Sequence, residues 1–152
     1  MHCGEKGFNM MIEYPWMSLA RAKLGEHEIP GPKANEFIIE CLESTSIGYP
    51  YDQDDATAWC SAFVNRIMQL AGYKGTNSAW ARSWLEWGRE PADEEFGQGV
   101  IVILERGPVS GHVGFLVDWD DNRVKLLGGN QGNAVSEAWF PMDRVLGWRV
   151  PA

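Results

Sequence analysis

The sequence is poor in several features, and each shortage excludes something. No run on the order of 18–20 apolar residues occurs, so no transmembrane helix is expected. Cationic residues are outnumbered, 13 Lys and Arg against 21 Asp and Glu, for a formal net charge of −8. Nucleic-acid binding needs clustered Lys and Arg to neutralise phosphates, and membrane or wall docking by charge needs the same, so neither is expected. Cysteine is scarce and odd in number: Cys3, Cys41 and Cys60, without metal-type spacing. That argues against a disulfide scaffold and a zinc site, and for free thiols made in a reducing cytoplasm. Internal repeats and low-complexity segments are missing too. The first stretch, MHCGEKGFNMMIEYPW, lacks a basic patch followed by an apolar core, so it does not read as a secretory signal. Residues 1–13 read as a flexible N-terminal arm and 14–152 as one domain, expected to be a monomer.

What is present is a helical front half and a stranded back half. PWMSLARAKLG (15–25) has a helical apolar rhythm with Gly25 as a stop. KANEFIIECLEST (33–45) places Phe37, Ile38, Cys41 and Leu42 on one helical face, making Cys41 a core residue. DDATAWCSAFVNRIMQLAG (54–72) reads as a third helix, capped by Asp54, Asp55 or Thr57 and ended by Gly72. A short tryptophan-rich helix is expected in NSAWARSWLEWG (77–88). The period then changes to that of strands: 99–104, 112–119, 123–130, 134–140 and 146–150, joined by short turns. In 112–119, Val113, Phe115, Val117 and Trp119 share a face. Helices followed by an antiparallel meander make an α+β domain.

Chemistry centres on Cys60. It falls in the first turn of its helix, where the dipole and backbone N–H groups favour a thiolate and can hold an oxyanion. It also shares a stripe with Phe63, Val64, Ile67 and Ala71, so on the helix alone it reads as a buried structural residue rather than a nucleophile. A catalytic thiol needs a base, and the chain offers three histidines. His2 lies in the arm, and His27 sits among charged and turn residues. His112 begins an apolar strand straight after a turn, at the rim of a sheet. Hairpin arithmetic supplies a third group. With a three-residue loop at 120–122 Asn130 opposes His112; with a two- or four-residue loop Gln131 does. Either brings an amide that can orient the imidazole. Alternation points Gly114 the same way as His112, which suits close approach by the helix carrying Cys60.

Taken in order, AWCSAFVN, GHVGF and LLGGNQ resemble the papain-like CHAP and NlpC-type cell-wall hydrolases, most of all a compact single-domain branch in phage lysins and related bacterial proteins. The likeness runs from PWMSLARAKLGEHEIPG through GTNSAWARSWLEWG to LGWRVP, nearly the whole chain beyond residue 13. It implies a permuted papain-like fold and a cysteine hydrolase that cleaves an amide of the peptidoglycan stem peptide, as an endopeptidase or an N-acetylmuramoyl-L-alanine amidase. By motif position Cys60 is the nucleophile, His112 the base and later acid, and Asn130 its orienting group. The backbone N–H of Cys60 serves the oxyanion, with Ser61, Gln131 and a side chain of the 52–57 loop as support.

Trp59, Trp80 and Trp84 are groove candidates, the other tryptophans core. Arg82 and Arg106 read as solvated surface, with stem-peptide carboxylates as their other use. Some relatives carry a calcium loop before the cysteine. YDQDD (51–55) lacks a full ligand set, so no metal and no cofactor is expected. Without a signal, the protein would act on the wall or periplasm only after release or delivery, as a lysin or an antibacterial effector. Delivery machinery or a cognate immunity protein would then be partners. The same residues allow a cysteine protease or toxin with a protein substrate, or a non-catalytic wall-binding module.

Overall fold

The computed structural model describes residues 12–152. The expected arm therefore lies outside the described residues except at its end. There Ile12 and Glu13 belong to the fold, since Gln98 N–H donates to Ile12 O and Glu13 bridges to Gln98. The described residues form three α-helices and then a five-stranded sheet, an α+β architecture. Among the described residues no helix is long and apolar enough to cross a membrane.

Helix α1 (Trp16–Arg21) buries Trp16, Met17 and Ala20, and the Trp16 indole donates to Gly99 O at 2.8 Å. It ends before Gly25, and tight turns carry the chain on to that residue. Helix α2 (Glu36–Glu43) is capped by Asn35, whose side chain accepts from Ile38 N–H. It buries Phe37, Ile38, Cys41 and Leu42, the stripe its spacing predicts. Burial drives the Cys41 thiol far above its ordinary range, so it is an inert core residue.

Helix α3 (Cys60–Leu70) starts later than expected. Its N-cap is Trp59, and no side chain caps it. The residues expected to cap it are engaged elsewhere. Asp55 is buried and accepts from the N–H groups of Ile29 and Asn35, both at 2.8 Å. Asp54 accepts from Ala56 N–H, and the Thr57 hydroxyl donates to Tyr51 O. At the other end Gly72, at φ 91°, stops the helix, and Tyr73 N–H reaches back to Met68 O. The tryptophan-rich segment forms a tight 3-10 helix, Ala81–Glu86, not an α-helix.

The strands are β1 (Ile101–Arg106), β2 (Ser110–Trp119), β3 (Arg123–Gly128), β4 (Ser136–Pro141) and β5 (Val145–Arg149). Their order is β4-β3-β2-β1-β5, all neighbours antiparallel. The first four make the expected meander; β5 crosses to the outer edge of β1. Only Met142–Arg144 separates β4 from β5. Four strand spacings in a flat sheet come to about 19 Å. Four peptide steps reach at most about 14 Å. The sheet must therefore curl until its edges approach.

A bulge between Leu116 and Asp118 lies where β2 bends. It also overturns one expectation. Trp119 leaves the face of Val113 and Phe115 and joins the cluster inside the curl, with Phe96, Leu116, Val124 and Leu126.

The helices cover the other face. Phe63 of α3 meets Phe115 edge to face at 6.1 Å, and Val113, Phe115 and Leu127 belong to the helical core. The expectation that α3 approaches the Gly114 face fails here. What needs Gly114 is its own sheet: a Cβ there would meet Leu126 Cβ and Leu127 O, each at 3.2 Å.

The close approach of helix to sheet is made instead by Gly129, where a Cβ would lie 2.6 Å from the Trp59 ring and 2.8 Å from Phe63 Cβ. Gly129→Ala should lower the unfolding free energy by about 1–3 kcal/mol, the cost of overpacking a rigid core. Chemical denaturation of the two proteins measures it, and equal midpoints would refute this contact.

Candidate active site

Two elements bring the site together: the uncapped first turn of α3 and the end of the β2–β3 ladder. Leu116 N–H bonds Val100 O, on the β1 side of β2. By alternation the Val113 N–H faces the other way, towards β3. The β2–β3 pairing reaches no further than Phe115 opposite Leu127, and β3 ends at Gly128. The space beside Val113 N–H is filled by the Cys60 thiol, which comes in from the helical face. Burial pushes this thiol up. The Val113 N–H acts most strongly the other way, helped by the charge of Arg106 and by the N–H groups of Ser61 and Cys60 itself. Cys60 is 6% exposed, a nearly closed site.

His112 is fully buried on the opposite face of the strand, with its ring 5.3 Å from that of Phe140. Its partner is Gln131, not Asn130. His112 Nε2 and Gln131 Oε1 are 2.8 Å apart. The Gln131 amide nitrogen donates to Leu126 O at 3.2 Å and to Ser136 O at 2.7 Å. Both amide protons are spent, so Oε1 must accept and His112 Nε2–H must donate. The tautomer follows: Nδ1 carries a bare lone pair. Among the described residues Nδ1 is buried without a hydrogen-bond partner. The thiol thus lies against the strand of His112, but no hydrogen bond joins thiol and imidazole.

Asn130 was expected in Gln131's place, and the reason it is not there is local. The turn closing β2 and β3 pairs Trp119 with Val124, and the bulge restores the other register, pairing Phe115 with Leu127. Extended, that register does set Asn130 opposite His112. But β3 stops at Gly128, and Asn130 takes a left-handed φ of 60°, which turns it out of the ladder. Gln131, one residue on, bonds Ala134 O through its N–H and sends its longer side chain back beneath Gly128. Gly128 is needed there, because a Cβ would lie 2.5 Å from Gln131 Oε1.

The remaining expected site residues divide. The Ser61 side chain is structural: fully buried, it donates to Ser78 O at 2.7 Å and accepts from the Trp84 indole at 2.9 Å. Only its backbone N–H faces the thiol. Trp59 and Trp84 are fully buried and line no groove; the Trp59 indole donates to Glu28 at 3.0 Å. Trp80 is 55% exposed, and its indole donates to Val109 O. Arg82 donates to Ser110 O and Gly107 O, clamping the turn that leads to His112. Arg106 is exposed at the end of β1. The side chains of the 52–57 loop hold the loop itself, the 29–35 segment through Asp55, or Glu43 of α2 through Gln53. The His27 backbone is bridged to Ala134, and its ring Nδ1 lies 3.0 Å from Gly25 O. Asn65, which no motif flagged, ties the first turn of α3 to the 76–78 segment: it donates to Ser61 O and accepts from Asn77 N–H. Among the described residues no group of three His, Cys, Asp or Glu side chains could hold a metal.

No family model matches the chain. No curated protein matches it by sequence. By structure it is similar to a Staphylococcus aureus protein described as similar to a lipoprotein of the NLP/P60 family, with TM-score 0.51 and 16% identity. The match covers 93% of this chain and 44% of that one, so the chain spans less than half of its neighbour's length. At this identity the likeness shows a shared fold.

Burial pushes the His112 imidazole down to about 4 from 6.5, the bond to Gln131 opposing and the charges of Arg106 and Arg144 adding to the fall. Between those values the unfolded chain holds more protons than the folded one, so stability rises with pH across the window and is lost on acidification. The difference is worth roughly 3 kcal/mol. Unfolding free energy should therefore fall more steeply from pH 7 to pH 4 in the native chain than in His112→Gln. Parallel profiles in urea titrations would contradict a histidine held neutral by burial.

Proposed function

We propose that the protein is a cysteine hydrolase that cleaves an amide of the peptidoglycan stem peptide, through Cys60, His112 and Gln131. The observation that carries this reading is the fixed tautomer: Gln131 leaves His112 with a bare, buried Nδ1, on the residue next to Val113, whose N–H meets the thiol. A lone pair held in that way is a proton acceptor awaiting a donor. The fold shared with an NLP/P60 family protein, and the three motifs in their order, supply the substrate class.

The reaction divides among these groups. His112 Nδ1 takes the thiol proton as Sγ attacks the amide carbon. Negative charge on the tetrahedral oxygen is met by N–H groups of the α3 first turn, which no side chain caps. The imidazolium, steadied by Gln131 Oε1, returns the proton to the leaving amine. Water, deprotonated by the same Nδ1, then releases the acyl group. No step requires a metal or a cofactor. Acting on the wall, the protein serves as a lysin or a delivered effector, and a cognate immunity protein is its expected partner in the second case.

Cys60→Ala should abolish clearing of purified sacculi in zymograms while leaving the far-UV circular dichroism unchanged; undiminished clearing would sink the mechanism. Casein cut in preference to sacculi would move the substrate to proteins. The orienting group is separable in the same assay. Gln131→Ala should lower kcat by about tenfold to a hundredfold, whereas Asn130→Gly, which suits the left-handed backbone, should leave kcat within about twofold. Equal losses would return the orienting role to Asn130.

A further inference from the structure

Arg106 ends β1 two positions beyond Leu104, the residue paired with His112. Alternation sets it on the imidazole's face of the sheet, a diagonal neighbour at about 7–8 Å between Cα atoms. Arg144 reaches the same face from the β4–β5 link. Its Nε donates to Glu105 O at 3.0 Å, and its guanidinium lies 5.4 Å from the centroid of Phe140, the ring that covers His112. The ion pairs found among the described residues engage Arg21, Arg66, Arg89, Arg123 and Lys125, but neither of these two.

In a chain of net charge −8, two guanidiniums without an ion pair among the described residues thus flank one histidine. Cations beside a general base depress its basicity, a disadvantage unless an anion arrives to cancel them. The guanidinium fork suits a carboxylate, and Arg144 is already oriented by its bond and its stack.

Building on the hydrolase reading, we propose that Arg106 and Arg144 form a carboxylate-binding subsite that selects substrates with a free carboxylate close to the cleaved amide. The docked anion also relieves the cationic pressure on His112, so the bound substrate restores basicity to the base that attacks it.

The test uses two stem tetrapeptides that differ at one group, the α-carboxylate of the γ-linked D-glutamate, either free or amidated. The full chain should cut the acid with a kcat/KM about tenfold or more above that for the amide, the size of one charge-assisted contact. That ratio should collapse towards one in Arg106→Gln and in Arg106→Gln/Arg144→Gln, with circular dichroism confirming the fold. A native ratio near one, or a ratio that both variants keep, would overturn the subsite. Calorimetry of the same peptides on Cys60→Ala reads binding without turnover. Preference for the acid there, with neither peptide cut by the native chain, would uphold the subsite and refute the hydrolase. Both peptides cut and bound alike would refute the subsite and leave the hydrolase standing.

Discussion

The site depends on one amide with a single orientation. Gln131 gives both of its amide protons to backbone carbonyls, at Leu126 and Ser136, and has only its oxygen left for His112. Turning the amide over would set Oε1 against the carbonyl oxygens of Leu126 and Ser136 and lose both bonds, in a buried setting where each unmade bond costs about 1–3 kcal/mol. The tautomer of His112 is thus decided by the β3–β4 connection and not by the histidine's own surroundings. The orientation of Gln131 depends in turn on Gly128, because any side chain at that position would occupy the space of its Oε1.

The curl of the sheet and the early end of β3 serve the same site from two sides. By ending at Gly128, β3 leaves the Val113 N–H without a ladder partner, and α3 fills the vacancy with a sulfur atom. By curling, the sheet brings Phe140 of β4 over the imidazole and carries Arg144, in the link to β5, to the end of β1. A flat meander with the same strands would have left His112 open to water and its base strength near the ordinary value. Packing on the helical side fixes the remaining coordinate. Trp59 and Phe63 press against Gly129, so the first turn of α3 cannot slide along the strand without a clash.

Elements with a strong period were legible in the sequence: the stripe of α2, the stop at Gly72, five strands and the α+β order. Cys60 on a helix and His112 on a strand followed from the same periods. What alternation could not foresee was the bulge in β2, since an extra residue leaves no mark in composition; it moved Trp119 to the other face. Asn130 illustrates a subtler loss. The register was readable, but whether the strand would persist to use it was not, and Gly128-Gly129-Asn130 is a sequence in which a strand readily ends. The caps of α3 failed because Asp55 had a competing use, bonding two N–H groups distant in sequence. Trp59 and Trp84 were misplaced because an indole N–H can be satisfied indoors, by Glu28 and Ser61 respectively.

Burial acts on the two reacting groups in opposite directions, raising the thiol and lowering the imidazole, and both shifts favour the uncharged pair. A thiolate–imidazolium pair formed in advance would have to recover two desolvation penalties through a contact that the resting geometry does not make. Under the proposed chemistry the proton therefore moves during attack, when negative charge is leaving sulfur for the substrate oxygen. The first-turn N–H groups of α3 then change role without moving, from partial stabilisers of sulfur to donors for the oxyanion. A site arranged in this way is quiet towards stray electrophiles at neutral pH, because a protonated thiol is a poor nucleophile. Under the proposed chemistry, reactivity comes with a substrate that both supplies the acceptor carbon and alters the field at His112, and the proposed cationic subsite would then bear on rate as well as on selection.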